Sequence, residues 1–229
     1  MALVDPGPCL WALPDPAAAD PGQDVVAVGA DLSASTVFAA YRSGLFPMRL
    51  DTDDLAWWSP DPRGILPLEE LRVSRSLRRS MRRFTYTVDR AFTRVMAECA
   101  DERRPSGWIT PDFIETYSEL HRMGWAHSVE VWREDRLVGG LYGIEIGGLF
   151  AGESMFHRET DASKAALVAC VRSVAARGVT LFDVQMETAH LMSMGAEIWS
   201  RDRYLDALGP ACRAQVDLSD VEPHWEPPA

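Results

Sequence analysis

Three apolar segments joined by two short turns constrain the fold of this chain more than any other feature. His127–Arg133 alternates as a half-buried strand does, and Glu134-Asp135 then leads into the apolar segment Leu137–Ile146. Gly147-Gly148 turns the chain again, into Leu149–Phe156. Connections this short join neighbouring antiparallel strands. The three segments therefore predict an antiparallel meander.

Further helices and strands are predicted on both sides of this meander. The helices share an N-cap residue, an apolar stripe or a closing glycine. They cover Ser33–Arg42, Arg72–Arg83, a stretch capped by Asp89 and reaching Cys99, Thr110 to Gly124, Asp161–Arg177, Thr188–Met194 and Arg203–Leu208. Strands are predicted at Phe84–Val88 and Val179–Gln185. This order predicts an α+β fold, a layered sheet of the acetyltransferase-like (GNAT) type with flanking helices. A small N-terminal domain, residues 1–62, is expected before the main domain, residues 63–229.

The composition is typical of a globular protein in a reducing compartment. A chain of 229 residues is long enough to bury a substantial core without the help of disulfide bonds or structural metal ions. No apolar run reaches the length of a membrane span, and the first residues lack a secretory signal. The four cysteines, Cys9, Cys99, Cys170 and Cys212, form no CxxC pair, so neither a zinc site nor a disulfide framework is expected. We expect a cytoplasmic protein with no metal, no cofactor and no membrane partner.

Positive charge is concentrated in one segment of an otherwise acidic chain. The net charge is −11, yet residues 72–104 hold ten arginines against four acids. Spacings of three and four residues place four of them on one stripe of the predicted helix: Arg72, Arg75, Arg79 and Arg82. No acid occurs between residues 71 and 88. Such a face indicates phosphate binding. A solvated face with carboxylate partners elsewhere in the fold is the alternative.

A rigid aromatic turn precedes the arginine segment. Trp57-Trp58 is followed by Ser59-Pro60-Asp61-Pro62-Arg63, in which each proline fixes its own φ and favours extended geometry in the residue before it. The two indoles are either core aromatics that close a sheet or a platform for a planar ligand such as a nucleobase. The sequence leaves both interpretations open.

Short motifs in a fixed order, from about Val28 to Leu208, resemble those of one protein family. They are Gly29-Ala30-Asp31-Leu32-Ser33, Tyr41-Arg42-Ser43-Gly44-Leu45-Phe46-Pro47, the aromatic turn, Ser74-Arg75-Ser76, Trp108-Ile109-Thr110, His127–Trp132, Leu137–Gly143, Phe150–Phe156, Ala162-Ser163-Lys164, Asp183-Val184-Gln185, His190 and Ser193-Met194-Gly195-Ala196. So many motifs in one order are not expected by chance. The chain resembles the leucyl/phenylalanyl-tRNA–protein transferase family.

This resemblance implies an activity. Members transfer Leu or Phe, and less well Met, from aminoacyl-tRNA to the α-amino group of proteins that begin with Arg or Lys. The transfer marks those proteins for the N-degron pathway of protein degradation. The implied partners are therefore aminoacyl-tRNA and acceptor proteins, without coenzyme A.

Three residues are implied to carry the chemistry. Asp183 and Gln185 lie two apart on a predicted strand, so that both side chains point to one face. The matching family positions are a carboxylate that orients an amide near the attacking amine. Glu153 lies inside an apolar strand, where a carboxylate needs a partner, and the resemblance places it near the N-terminal residue of the acceptor. Structural roles, including an internal salt bridge for Glu153, remain alternatives.

The resemblance also implies binding residues. Trp108 matches a tryptophan that contacts the terminal adenosine, and Met48 stands where many members carry a second tryptophan, so its contact with a base would be weaker. The pocket for the amino-acid side chain is matched by Leu141, Phe150 and Cys170, the last at a position that is usually larger and aromatic. Taken individually, each pocket residue fits plain core better than ligand contact. For tRNA binding the arginine face supplies Arg75, Arg79 and Arg82.

Functions of other classes are weighed against this one. A CoA-dependent acetyltransferase would need a Q/R-x-x-G-x-G/A turn at a helix start, whereas the nearest match, Arg136–Leu141, ends in Leu and lies in a hairpin. An enzyme that adds amino acids to peptidoglycan precursors would use the same donor. A tRNA-binding module without catalysis would explain the arginine face but not the group of Asp183, Gln185 and Glu153.

Overall fold

Two sheets form the frame of the fold, which the computed structural model describes for residues 3–100, 108–218 and 221–223. The smaller sheet has three strands: β1 (Val25–Val28), β2 (Phe46–Arg49) and β3 (Leu55–Trp58). The larger has seven: β4 (Arg63–Ile65), β5 (Thr85–Val88), β6 (Ala126–Arg133), β7 (Arg136–Ile146), β8 (Leu149–His157), β9 (Leu181–Gln185) and β10 (Glu197–Trp199). The spatial order is β1-β3-β2 in the smaller sheet and β10-β4-β9-β8-β7-β6-β5 in the larger.

Helices cover both faces of the larger sheet. They are α1 (Ala34–Arg42), α2 (Arg75–Met81), α3 (Phe92–Cys99), α4 (Pro111–Arg122), α5 (Ala162–Ala176), α6 (Ala189–Ser193) and α7 (Arg201–Arg213). Helix α5 packs on β6, β7 and β8 with α2 beside it, and α3 and α4 cover the opposite face. The predicted α+β fold, a large sheet with flanking helices, is therefore confirmed.

The predicted meander consists of β6, β7 and β8, which are antiparallel neighbours. Glu134 and Gly147, in its two turns, have φ of 56° and 59°. At Gly147 a Cβ atom would lie 2.6 Å from the backbone oxygen of Ala214. This turn therefore requires glycine for its left-handed backbone and for the close approach of the chain.

Asp89 does not cap the helix that follows it. The N–H group of Ala91, just before α3, instead donates to the buried carboxylate of Glu130 on β6 at 3.2 Å. Asp89 contacts the ring of His127, Oδ2 to Nδ1, at 2.6 Å. A carboxylate from a distant strand thus replaces the local cap, which no local sequence pattern reveals.

Helix α2 is shorter than the predicted helix Arg72–Arg83. The Ser74 hydroxyl accepts the N–H of Leu77 at 3.1 Å, which caps the helix at Ser74. Arg72 precedes the helix, and its N–H donates to the carbonyl of Met194 at 2.8 Å. The expected stripe therefore lacks Arg72 and keeps Arg75, Arg79 and Arg82.

The aromatic turn belongs to the core. Trp57 is 1% exposed and donates its ring N–H to the carbonyl of Gly29 at 2.9 Å. Trp58 is half-buried and donates to the carbonyl of Met48 at 3.2 Å. Of the two interpretations, core aromatics are correct, and the ligand platform is wrong for this pair.

The N-terminal residues pack against the rest of the chain. Arg201, at the start of α7, is 3% exposed and donates to the carbonyls of Ser59 at 3.0 Å and Ala19 at 3.2 Å. One buried apolar cluster includes residues of α1, β3, α4 and α7. Because this cluster runs across the expected boundary, the division into residues 1–62 and 63–229 stays a prediction.

Two of the ten arginines counted in residues 72–104 lie outside the residues that the structure describes. They are Arg103 and Arg104, in the gap between residues 100 and 108. Among the helices that are described, none is long and apolar enough to span a bilayer.

Candidate active site

Two parallel strands separate where their pairing ends and leave room for polar side chains between them. Strands β8 and β9 pair only over Leu149–Ala151 and Leu181–Asp183, after which β9 pairs with Gly64 of β4 on its other side. Glu153 and Gln185 lie just beyond the paired residues. The Gln185 Nε2 atom donates to Glu153 Oε1 at 2.7 Å. The fold thus brings together two of the three predicted catalytic residues.

Asp183, the third, is the buried anchor of this site. Its carboxylate forms a bidentate ion pair with the equally buried Arg63, Nε to Oδ1 at 3.0 Å and Nη2 to Oδ2 at 2.6 Å. The Tyr204 hydroxyl donates to Oδ2 at 2.9 Å, and the backbone N–H of Gln185 donates to Oδ1 at 2.8 Å. Burial alone would lower the pKa of Arg63, but Asp183 raises it above its ordinary value, so the guanidinium keeps its charge.

Asp183 acts on the backbone of Gln185 rather than on its side chain. The side-chain amide that the resemblance expects this carboxylate to orient donates to Glu153 instead. Four hydrogen bonds already occupy the two oxygens of Asp183. Asp183 therefore positions the backbone of Gln185, and the side-chain amide is held by Glu153.

Gln185 has a strained backbone. Its φ is 64°, in the left-handed region that favours glycine, and the Met186 N–H donates across it to the carbonyl of Val184 at 2.7 Å. This is a γ-turn at the end of β9, next to an irregularity in the pairing with β4. The turn breaks the alternation of the strand and points the amide at Glu153. Strain of this kind concentrates at functional sites.

Glu153 is a carboxyl group with an unusually high pKa. Burial raises the pKa to about 8, with a further contribution from Asp183, while the Tyr41 hydroxyl, Arg63 and Gln185 oppose the shift. The Glu153 Oε2 atom is buried and has no hydrogen-bond partner among the described residues.

A cleft of about 400 Å³ opens onto this pair. Its walls come from β2, from Trp108 in the segment that precedes α4, from the open ends of β8 and β9 and from α6. Among the lining residues are Met48, Trp108, Glu153, Ser154, Met155, Gln185, Thr188 and His190. The Trp108 ring packs edge-on against Phe113 at 5.3 Å. Both residues predicted to contact adenosine, Trp108 and Met48, therefore share a cleft with two of the three predicted catalytic residues, Glu153 and Gln185.

A smaller apolar cavity of about 60 Å³ adjoins the cleft and shares Glu153 and Met155 with it. Leu141 and Phe182 are among the side chains that line this cavity. Phe150 stacks on Phe182 with ring centroids 5.2 Å apart and lies one layer behind. Cys170 lies on the buried side of α5 and lines neither space. Of the three predicted pocket residues, Leu141 lines the smaller cavity, and Phe150 and Cys170 line neither of these two spaces.

The arginine face is exposed. Arg75, Arg79 and Arg82 all have exposed side chains. Across the described residues, none of the three has a carboxylate within ion-pair distance. Leu77 and Met81 form the opposite, buried side of α2. The face is thus held outward, as phosphate binding requires.

Comparisons with known proteins agree with this architecture. Residues 65–209 match the family described as leucyl/phenylalanyl-tRNA protein transferase, and residues 30–61 match the N-terminal domain of the same family. A protein named leucyl/phenylalanyl-tRNA–protein transferase from Syntrophobacter fumaroxidans is 52% identical over 189 residues, covering 80% of this chain and 81% of its own. One of the same name from Tolumonas auensis is 47% identical over 199 residues, 85% of both chains. The chain belongs to the leucyl/phenylalanyl-tRNA–protein transferase family.

Membership of the transferase family confirms the predicted enzyme class, an aminoacyltransferase. A relative from Methylococcus capsulatus extends the similarity to 95% of this chain and 94% of its own, at 43% identity. Among solved structures, a GCN5-related N-acetyltransferase-like protein from Streptococcus suis has a TM-score of 0.35 and 12% identity, covering 60% of this chain and 58% of its own.

Sequence analysis missed three residues of the transferase site. Arg63 ends the aromatic turn, but its pairing with Asp183 spans 120 positions. Tyr204 lies in a helix that the sequence predicts only in part. Tyr41 belongs to a quoted motif, and its hydroxyl lies 2.7 Å from that of Tyr117 behind Glu153. Arg63 and Tyr41 both belong to motifs quoted above, which is the signal that the sequence offers for them, but their partners are brought to them only by the fold.

No cluster of three or more His, Cys, Asp or Glu side chains suited to a metal ion occurs within the described part of the chain. The site is built instead from one amide, two carboxyl groups, an arginine and tyrosine hydroxyls. Such a set orients groups and moves protons.

Proposed function

We propose that this enzyme transfers Leu or Phe, and less well Met, from aminoacyl-tRNA to the α-amino group of proteins that begin with Arg or Lys. We assign this reaction to the cytoplasm, where it marks acceptors for N-degron degradation. The observation that carries the proposal is the Glu153–Gln185 pair, which lies in one cleft with Trp108. Family membership supplies the reaction class.

The chemistry needs positioning more than a strong base. The donor is the ester between the amino acid and the terminal ribose, and the nucleophile is the acceptor's α-amine. Because the pKa of that amine is about 8, roughly a tenth of it is neutral at pH 7. Gln185 donates through Nε2 to Glu153, which leaves its carbonyl oxygen to accept an N–H of the attacking amine. Holding the amine and ester in line accelerates the reaction.

Glu153 is suited to a cationic acceptor. Its pKa of about 8 is close to that of the α-ammonium group, so the two groups share a proton without a large energy difference. A cationic Arg or Lys side chain would also favour ionised Glu153, because an opposite charge lowers a carboxyl pKa. The acceptor preference is therefore assigned to this residue.

The cleft and the smaller apolar cavity bind different parts of the aminoacyl-tRNA donor. Trp108 offers an indole face to the terminal adenine, and Met48 offers a weaker sulfur contact. The apolar cavity beside Glu153, with Leu141 and Phe182 in its lining, accepts the Leu or Phe side chain. Adenosine recognition therefore depends more on Trp108 than on Met48.

Acetyl-CoA is not the proposed donor. The segment nearest to a pyrophosphate turn lies within β7, where a Cβ on Gly139 would be 2.6 Å from the Cβ of Ala162 in α5. Glu159 and Asp161 precede α5, and carboxylates at a helix start repel the anion that such a site would hold. Neither place offers a cradle for pyrophosphate.

A transfer assay with alternative donors tests the proposal. We expect transfer of labelled Leu and Phe from their tRNAs to a peptide that begins with Arg, and none of the acetyl group from acetyl-CoA. Acetylation of that peptide without aminoacyl transfer would overturn the proposal.

The acceptor role of Glu153 is tested in the same assay with peptides that begin with Arg, Lys or Ala. Glu153→Gln should raise KM for the Arg peptide about tenfold and reduce the preference over Ala, because a paired charge is lost. In the unchanged enzyme, KM for the Arg peptide should fall as pH rises towards 8, because Glu153 ionises there. Glu187→Gln, an exposed carboxylate two residues beyond Gln185, is the matched control. If Glu153→Gln keeps the Arg preference and loses only kcat, Glu153 belongs to the catalytic step instead.

A further inference from the structure

A second open space lies beside the arginine face, and the transfer chemistry described above does not use it. This groove has a volume of about 360 Å³. Its polar wall is formed by Arg72, Ser74, Lys164 and Ser193, and its apolar wall includes Leu77 and Met194. Lys164 is the only lysine in the sequence and belongs to a motif to which no role was assigned.

The positive charge of this groove is not neutralised by nearby acids. Over the described ranges, neither Arg72 nor Lys164 has a carboxylate within ion-pair distance. Arg75, the first residue of the arginine face, lies three residues after Arg72 and continues the positive potential along α2. Two unpaired cations in a concave space favour an anionic ligand, and a phosphate group is the common biological form.

The groove and the catalytic cleft lie on either side of α6. Arg72 donates its backbone N–H to the carbonyl of Met194, the residue that follows this helix. His190, within α6, lines the cleft. Burial and the nearby charges of Lys164 and His157 lower the pKa of His190, so Lys164 is close to both spaces. The His190 Nε2 atom is buried and lacks a hydrogen-bond partner among the described residues.

The groove thus borders α2, which carries the arginine face, and α6, which also lines the cleft. We propose that the groove holds the phosphodiester backbone of the single-stranded nucleotides that precede the terminal adenosine of the aminoacyl-tRNA. This assignment rests on the proposed function, which puts the terminal adenosine in the cleft. Arg72 and Lys164 bind phosphate oxygens, and Leu77 and Met194 contact a base or ribose.

The groove is tested by comparing how the unchanged protein and its variants bind two RNAs, a measurement that does not require turnover. The probes are an RNA hairpin that carries the acceptor stem with its four unpaired 3′ nucleotides and the same stem cut to a blunt end. We expect the double substitution Arg72→Ala with Lys164→Ala to weaken binding of the first RNA about tenfold and of the blunt RNA less than about twofold, because phosphate contacts to the single strand are lost. Fluorescence anisotropy measures both dissociation constants.

Three control variants make this result specific. Arg79→Ala should weaken both RNAs by the same factor, because it acts on the stem. Arg122→Ala, an exposed arginine at the far end of α4, should change neither. Lys164→Arg keeps the charge and should restore most of the binding that Lys164→Ala loses. Circular dichroism checks that each variant is folded.

The outcomes separate this proposal from the proposed function. If the double variant binds both RNAs equally more weakly, or binds both as well as the unchanged protein does, the assignment of the groove is wrong. This holds even if the unchanged enzyme transfers Leu from tRNA. Selective weakening of the RNA with the 3′ strand supports the groove. It would do so even for a protein that shows no transfer, in which case only the proposed function fails.

Discussion

At the scale of single residues, the site depends on one backbone conformation. The carboxylate of Asp183 fixes the N–H of Gln185, the γ-turn fixes its φ at 64°, and the amide then reaches Glu153. Arg63 and Tyr204 complete the hydrogen bonds of Asp183 and so fix the carboxylate itself. This buried network stabilises the strained backbone of Gln185 and directs its side-chain amide at Glu153.

Comparison of two substitutions at Gln185 isolates that strain. Gln185→Gly and Gln185→Ala both remove the amide, so both should lower kcat. The glycine variant should be more stable than the alanine variant by about 1 kcal/mol, because a Cβ is unfavourable at positive φ. Urea unfolding measures the difference in the free energy of unfolding.

A helical position provides the control for this comparison. Glu115 is exposed in the middle of α4, where glycine should be less stable than alanine by about 1 kcal/mol. The order of the two variants should therefore reverse between the two positions. An alanine variant at Gln185 that is at least as stable as the glycine variant would show that the turn relaxes without strain.

At the scale of helices and strands, local patterns predict what local interactions decide. The meander and the starts of α1 and α4 were predictable, because alternation and N-cap residues are encoded within a few positions. The start of α3 was not, because Glu130 on another strand supplies its cap. The same limit applies to the site. Glu153 and Gln185 were identified through motifs, whereas Arg63 joins Asp183 only through the fold.

Arg201 shows how one buried side chain connects elements. It donates to the carbonyls of Ser59, Ala19, Asp20 and Gln23, and so holds the N-terminal segment against α7. Arg201→Ala leaves these carbonyls without their donor and should lower the free energy of unfolding by about 3 kcal/mol. Arg203→Ala, two residues along the same helix, removes an exposed guanidinium 3.8 Å above the Trp199 ring and should cost less than about 1 kcal/mol.

Urea unfolding compares the two arginine variants, and limited proteolysis shows where the structure opens. Cleavage of Arg201→Ala should begin within residues 3–24, ahead of the rest of the chain. Equal losses of stability for Arg201→Ala and Arg203→Ala would contradict a role for Arg201 in anchoring that segment.

At the scale of the whole molecule, function depends on where charge is placed rather than on its sum. A net charge of −11 would repel RNA at long range if it were spread evenly. Exposed arginines instead occupy one side of α2, and salt screens the more distant acids within about 10 Å at 0.1 M. We therefore expect the acidic remainder to limit RNA binding elsewhere on the surface and the arginine face to set where tRNA docks.

Removing Arg75, Arg79 and Arg82 together tests this placement. Each phosphate contact adds about 0.9 to the slope of log K against log salt concentration. The triple alanine variant should therefore have a slope that is shallower by about 2 to 3 and should bind all tRNAs more weakly by a similar factor. Because the three side chains are exposed, the thermal midpoint should stay close to that of the unchanged protein. Filter binding between 50 and 300 mM salt, about the range over which such contacts dominate, gives the slope. An unchanged affinity at low salt would show that tRNA docks on another surface, and a loss confined to one tRNA would show that these arginines read sequence rather than phosphate.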